Sequence, residues 1–305
     1  MNRIIVSLEK NSFYNLSLEE ELLFQAQCNS TILYLWINEP CVIIGRNQVS
    51  FMECNMEYIK NQNINIVRRN SGGGAVYQDL GNLNYTFINK IGEKNTEKQK
   101  KLLLEVLKEL GIKGYFSGRN DVLIDQKKIS GQAEYSEDEN EYLHGTLMIN
   151  VNIENLEKSL TPSSNKLKSK GIRSIKSRVT NISEYNKKVN IEQVKEIIIR
   201  KFQDIFGKVE KIEYFSEKEK VVLNKKKYQS EDWNINESPQ YSVKVEIPFN
   251  DSNLKLWLKV KNGRIEQIKY SSDNLKILNF SYLNNLLIDQ VFNEEKIKKI
   301  ILENI

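Results

Sequence analysis

Three consecutive glycines, Gly72-Gly73-Gly74, follow a strand-like stretch and lead into another, in the run Arg68-Arg69-Asn70-Ser71-Gly72-Gly73-Gly74-Ala75-Val76-Tyr77. Without Cβ atoms, backbone N–H groups can approach a ligand closely. Successive amides of this kind form an anion-binding nest. Arg68 and Arg69 add positive charge and forked donors suited to phosphate. The plain alternative is a flexible surface turn. The run is not a Walker A loop, since GxxxxGK[ST] spacing is absent, and it does not open a helix, because Ala75-Val76-Tyr77 reads as strand. The motif therefore places an anion near backbone without naming it.

The chain around this run is long enough for two domains: 305 residues, 40% apolar and 28% charged. Apolar periodicity predicts helices through Leu18–Ala26, Leu102–Leu110 and Val194–Phe206. Ser17-Leu18-Glu19-Glu20 reads as a capping box for the first. Strands are expected at Ile32–Ile37, Cys41–Gly45, Ile64–Arg68, Leu83–Ile88 and Leu143–Val151, with a hairpin turning at Asp125-Gln126-Lys127. Residues 216–240 are polar. Three strands then follow at Tyr241–Pro248, Leu254–Val260 and Arg264–Ser271, with Asn262-Gly263 as a hairpin turn and two short helices near Tyr282–Ile288 and Glu294–Leu302. The expected class is α+β, with a large domain over 1–235 and a small one over 236–305.

Composition removes several function classes. Three cysteines, Cys28, Cys41 and Cys54, form no CxxC pair, and His144 is the sole histidine, so no Cys/His zinc set exists. An odd thiol count points to a reducing compartment. The N-terminus does not read as a signal peptide, and no apolar run reaches membrane-spanning length. A cytoplasmic protein is expected, without membrane association. The net charge of +5 permits an acidic partner without requiring one.

Other segments carry chemistry. Lys128, in Lys127-Lys128-Ile129-Ser130-Gly131, can reach a phosphate or a carbonyl oxygen and stabilise developing negative charge; alternatively it is a solvated hairpin charge. Asp121, after Asn120, can orient an amine, a ribose or an ion, or simply satisfy a turn. Lys166–Arg178 holds six basic residues and no acidic one, with a glycine and serines interspersed, and is expected to be a loop that closes over a polyanionic ligand or meets an acidic protein. It lacks the aromatic residues that stack nucleic-acid bases, so no nucleic-acid partner is expected. His144 reads as structural, and no cysteine has the cationic surroundings of a low-pKa nucleophile.

In their order along the chain these segments resemble the lipoate–protein ligase A family. The resemblance is carried by Val42-Ile43-Ile44-Gly45-Arg46-Asn47-Gln48, Glu53-Cys54-Asn55, the glycine run, Asp79-Leu80-Gly81-Asn82, Gly118-Arg119-Asn120-Asp121, Lys128-Ile129-Ser130-Gly131, His144-Gly145-Thr146-Leu147, and Ser169–Ile172 through Ser177–Asn181. It continues through Glu231-Asp232-Trp233-Asn234. It implies a large mixed-sheet catalytic domain of the biotin/lipoyl ligase type with a small α+β accessory domain. It implies two steps: lipoate and ATP with Mg2+ give lipoyl-AMP, and the lipoyl group then passes to a lysine of a lipoyl-domain protein. Such acceptors are the glycine cleavage H protein or 2-oxoacid dehydrogenase acyltransferase subunits. A monomer is expected.

Carried over by position, Lys128 is the catalytic residue and also touches both substrates. Arg69, Ser71, Gly73, Gly74, Ala75, Val76 and Tyr77 bind substrate, with Asn82 and Asp121 as further ligand-side residues; metal ligands are not assigned. Arg69 is expected to face phosphate. Two departures stand out. Gln78 occupies a position where the family usually has histidine, and Gln132-Ala133-Glu134-Tyr135 replaces a run that often includes arginine. The rival readings are an octanoyl or lipoyl transferase, a biotin–protein ligase, and a non-catalytic ligand-binding relative. The transferase needs an activated cysteine late in the catalytic domain, and all three cysteines lie before residue 55.

Overall fold

The computed structural model describes residues 1–48, 50–118, 120–160, 178–236, 243–249, 252–261, 264–272 and 280–304. The basic run 166–178 therefore lies outside the described residues except for Arg178, as does the Asn262-Gly263 turn.

An eight-stranded mixed sheet forms the body. Its strands are β1 (Asn2–Ser7), β2 (Ile32–Trp36), β6 (Asn82–Lys90), β7 (Tyr115–Ser117), β8 (Asp121–Ile124), β9 (Lys127–Glu137), β10 (Asn140–Met148) and β11 (Val209–Phe215). They lie in the order β11-β1-β2-β6-β10-β9-β8-β7. β1 runs parallel to both β11 and β2, and the rest pair antiparallel. A second sheet has the order β4-β3-β5, from β3 (Cys41–Ile44), β4 (Asn65–Arg68) and β5 (Val76–Gln78).

Side-chain alternation gives the large sheet two different faces. On one face Leu83, Tyr85, Phe87, Leu143 and Leu147 pack against the helices Thr96–Glu109 and Ile191–Phe206, whose apolar residues include Leu103, Val106, Val194 and Phe202. The other face presents Tyr34, Trp36 and Tyr142 to the helix Ser12–Leu23 and to Cys41, Ile43 and Val67 of the small sheet. The glycine run leaves β4 and returns as β5, so it is held over this second face.

Several local expectations are corrected. The first helix begins at Ser12, capped by the Asn11 side chain, which accepts from the Phe13 and Tyr14 amides. Ser17 and Glu20 lie inside it and form no capping box. The described part of the polar stretch, residues 216–236, packs on the large domain. Val222 and Tyr228 are buried, and the Trp233 ring packs with them against the helix Ser12–Leu23. The strands β1 and β11 were not anticipated.

The C-terminal strands β12 (Val243–Phe249), β13 (Ser252–Lys261) and β14 (Arg264–Ser272) form an antiparallel sheet. Its own core joins Val245, Leu254 and Leu256 to Leu283, Leu287 and Ile301 of the closing helical segments. The Ser272 amide donates to the Asn47 carbonyl at 3.2 Å, and Lys255 pairs with Glu53 at 3.3 Å, which ties this sheet to the body.

Candidate active site

The glycine run is shaped from within by Arg69. Its guanidinium donates to the carbonyls of Ile43, Gly72 and Gly74, and its Nε donates to Ser71 Oγ at 2.9 Å. Arg69 is buried, so it braces the loop instead of standing open to a phosphate as the sequence suggested. Arg68 is also buried: it donates to the Trp233 and Asn234 carbonyls, and its carbonyl accepts from Trp233 Nε1. Segment 233–234 thus fixes the entry to the loop. Two glycines are indispensable to this shape. Gly73 has φ +93°, a region that side chains other than glycine rarely adopt. A Cβ on Gly45 would lie 2.1 Å from the Gly73 carbonyl oxygen. Gly74, Ala75 and Val76 are half-buried and form the accessible edge of the loop. Tyr77 is buried, with its hydroxyl accepting from Asn155 at 3.3 Å.

Lys128 and Asp121 meet at 2.8 Å, both about two-fifths exposed. β8 pairs with β9 so that Asp121 stands opposite Gly131, and the missing side chain of Gly131 makes room for the Lys128 ammonium. The Lys128 backbone is clamped on its other side: its amide donates to the Arg178 carbonyl and its carbonyl accepts from Thr180. Arg178, the last residue of the basic run, and Thr180 therefore position the lysine's backbone.

Asn82 is buried beside Asn84, in a network that continues through Gln78 to Asn38. Its amide is committed to that network. Sequence reasoning passed over Glu19 and Thr86. Glu19 accepts from Thr86 at 2.6 Å and lies 2.9 Å from His144 Nδ1, and His144 Nε2 lies 2.7 Å from Ser71 Oγ. The one available signal was the lone histidine. A cleft of about 780 Å³ opens beside Asn70, lined also by Arg46, Tyr135, Lys227 and Trp233. Glu134 lines it as well, six residues and roughly 20 Å along β9 from Lys128. The cleft and the lysine therefore lie toward opposite ends of β9, and Asn70, at the start of the glycine run, borders the cleft.

The chemistry open to this surface is electrostatic. It combines a half-exposed ammonium held by a carboxylate with backbone presented by a glycine loop. Thiol catalysis is disfavoured: burial pushes Cys41 and Cys54 up to about 12, the neighbouring Glu53 adding to the shift at Cys54. Among the described residues no three of His, Cys, Asp and Glu gather as a metal site. Mg2+ accompanying a nucleotide needs only one or two carboxylates besides phosphate oxygens, and Asp121 is a partly exposed carboxylate of the kind that would hold it.

A mixed sheet that carries a glycine loop and a lysine–aspartate pair is suited to a ligand with a negatively charged group. Residues 11–203 match the lipoyl protein ligase A/B catalytic domain and 238–305 match the bacterial lipoate protein ligase C-terminus; the chain belongs to this family. A lipoate-protein ligase A from Psychrobacter cryohalolentis is 33% identical over 97% of the chain and 90% of its own length. The crystal structure of P. falciparum LipL1 in complex with lipoate aligns with a TM-score of 0.82 and 29% identity, covering 100% of this chain and 95% of that one. A lipoate-protein ligase A bound with ATP aligns at 0.66 and 25% identity, over 76% of this chain and 98% of that one. The α+β class and the lipoate-ligase type of fold are thereby established.

Proposed function

We propose that this chain is an ATP-dependent, AMP-forming lipoate–protein ligase. The lipoate carboxylate attacks the α-phosphorus of ATP and pyrophosphate leaves. A lysine ε-amine of an acceptor protein then attacks the lipoyl carbonyl and AMP departs. The observation that carries the reading is the Lys128–Asp121 pair at 2.8 Å on the large sheet, in a chain of this family.

The two steps share one electrostatic demand. Negative charge grows on the phosphoryl and bridging oxygens in the first step, and on the carbonyl oxygen in the second. An ammonium at one fixed place serves both, so Lys128 is assigned as the catalytic residue. Asp121 holds it there before substrate arrives. The amides of Gly73, Gly74, Ala75, Val76 and Tyr77 wrap the nucleotide, while Arg69 and Ser71 maintain their geometry from below. Asn82 keeps the underside of the site polar. Mg2+ would neutralise phosphate charge, with Asp121 the nearby carboxylate. Because adenylation supplies the leaving group, the reaction needs no enzyme nucleophile, which agrees with the two buried thiols.

The domain division is placed at 235/236, supported by the separate apolar core of the C-terminal sheet. Acceptors are lipoyl-domain proteins of the glycine cleavage H or 2-oxoacid dehydrogenase acyltransferase type, met by a monomeric, cytoplasmic enzyme. No described helix is long and apolar enough to cross a membrane. Isotope exchange between ATP and pyrophosphate decides the central point. Exchange should require free lipoate; an enzyme that modifies the acceptor from preformed lipoyl-AMP but shows no exchange would be a transferase instead.

A further inference from the structure

Five hydrogen bonds link six side chains beneath the glycine loop. Trp36 Nε1 donates to Thr86 Oγ1 at 3.2 Å, and Thr86 donates to Glu19 at 2.6 Å. From the other side Arg69 Nε donates to Ser71 Oγ at 2.9 Å, Ser71 Oγ lies 2.7 Å from His144 Nε2, and His144 Nδ1 lies 2.9 Å from Glu19 Oε1. Trp36, Thr86, Glu19, Ser71 and His144 are all buried, so each polar atom depends on its neighbour.

The donors fix the direction of the chain. Glu19, as a carboxylate, can only accept. It therefore takes the proton of His144 Nδ1; with that single proton on the ring, Nε2 is an acceptor. An Nε2 without a proton can only accept, so the Ser71 hydroxyl, which accepts from Arg69 Nε, gives its own proton to Nε2. All five bonds then point toward Glu19. The composition is that of a hydrolytic triad, yet the geometry denies that role. Ser71 has no exposed surface, and Arg69 occupies a lone pair that a nucleophile would use.

We propose that Glu19 and His144 are positioning residues for the glycine loop: the carboxylate locks His144 in its Nδ1–H form, and Nε2 then sets the Ser71 hydroxyl and, with it, the start of the loop. Ser71 is a sensitive place to act. Its carbonyl accepts from the Arg46 amide at 2.8 Å, and Arg69 couples its hydroxyl to the carbonyls of Gly72 and Gly74. Among the described residues Glu19, on the first helix, meets the ring directly and Arg69 reaches it through Ser71; the Tyr142 ring lies tilted beside it, 4.9 Å between centroids, on the same strand. The catalytic part of the inference rests on the ligase reading; the tautomer does not.

His144 is the sole histidine, so its ring nitrogens can be observed without assignment by nitrogen-15 NMR of histidine-labelled protein. The expected spectrum has a protonated Nδ1 and an unprotonated Nε2. In Glu19→Gln the amide can donate to Nδ1, which should move the proton to Nε2. Lipoate and ATP KM should then rise about tenfold, with kcat changed much less and thermal stability nearly kept. His144→Gln, whose carbonyl can still accept from Ser71, should retain lower KM values than His144→Leu. A wild-type ring protonated on Nε2, or KM values in Glu19→Gln equal to wild type, would overturn the proposal. Absence of lipoate-dependent exchange in the wild-type enzyme would instead remove the ligase reading and leave the tautomer result standing.

Discussion

Lys128 and Asp121 are both partly hydrated, so their pairing contributes little to folding and much to placement. Lys128→Ala should therefore fold normally. It should lose formation and transfer of the adenylate together, each by about 10²–10³ in rate, the usual effect of removing one preorganised charge. Assaying the two half-reactions separately checks this; loss of only one would mean the lysine serves a single step. The cysteines behave differently for the same reason of hydration. Cys28 is exposed, while Cys41 and Cys54 are buried with thiols pushed up to about 12. A thiol alkylating reagent at pH 8 should modify Cys28 alone and leave ligation intact, as mass spectrometry of the labelled peptides would show. Modification of either buried thiol in the native state would contradict the burial that excludes them from catalysis.

Among the elements, the glycine loop is the one whose shape depends on individual atoms. Gly45→Ala puts a methyl group 2.1 Å from the Gly73 carbonyl, and the obstacle is backbone, so the loop itself must move. Gly73→Val adds a branched side chain at φ +93°. Both variants should weaken nucleotide binding, measured by calorimetry, more than they lower Tm. A collapse of Tm with normal binding by the folded fraction would make the loop merely structural. The loop was legible in the sequence because three glycines between apolar strands have few uses. The helices Thr96–Glu109 and Ile191–Phe206 were legible because each buries one stripe on the large sheet. The start of Ser12–Leu23 was not: that helix buries nearly every residue, Ser17, Glu19 and Glu20 included, and so shows no polar face. β1 and β11 escaped because a parallel pair far apart in sequence leaves no turn between its strands. Lys128 and Asp121, which the structure pairs at 2.8 Å, could be singled out from motifs, whereas Glu19 could not. Its partner His144 lies 125 residues away, and only the fold brings the two together.

The whole molecule keeps many acids neutral by burying them, and this limits its range at high pH. Burial raises Tyr34, Tyr142 and Tyr228 well above their ordinary value and takes Tyr85, Cys41 and Cys54 to about 12. For an acid whose pKa is raised by folding, the unfolded chain binds fewer protons, so stability falls as pH climbs. The loss begins near the unfolded thiol value of about 8.5 and steepens past that of tyrosine, about 10. Circular dichroism and tyrosinate absorbance should change together above about pH 10; tyrosines that titrate fully with the fold intact would refute this. A more local test concerns how the C-terminal sheet is held. Lys255 sits on β13 between Leu254 and Leu256, which face the sheet's apolar core, so its own side chain points the other way. There it meets Glu53, and both residues are buried. Two buried ions offset their desolvation only while they remain together, so removing one partner should cost far more than replacing both. Lys255→Met should destabilise the protein by about 3–5 kcal/mol, and Lys255→Met with Glu53→Leu should regain most of that. Chemical denaturation of the three proteins measures both quantities. If the single variant were as stable as wild type, the Lys255–Glu53 contact would not be what holds β13 against the helix Ser50–Glu53.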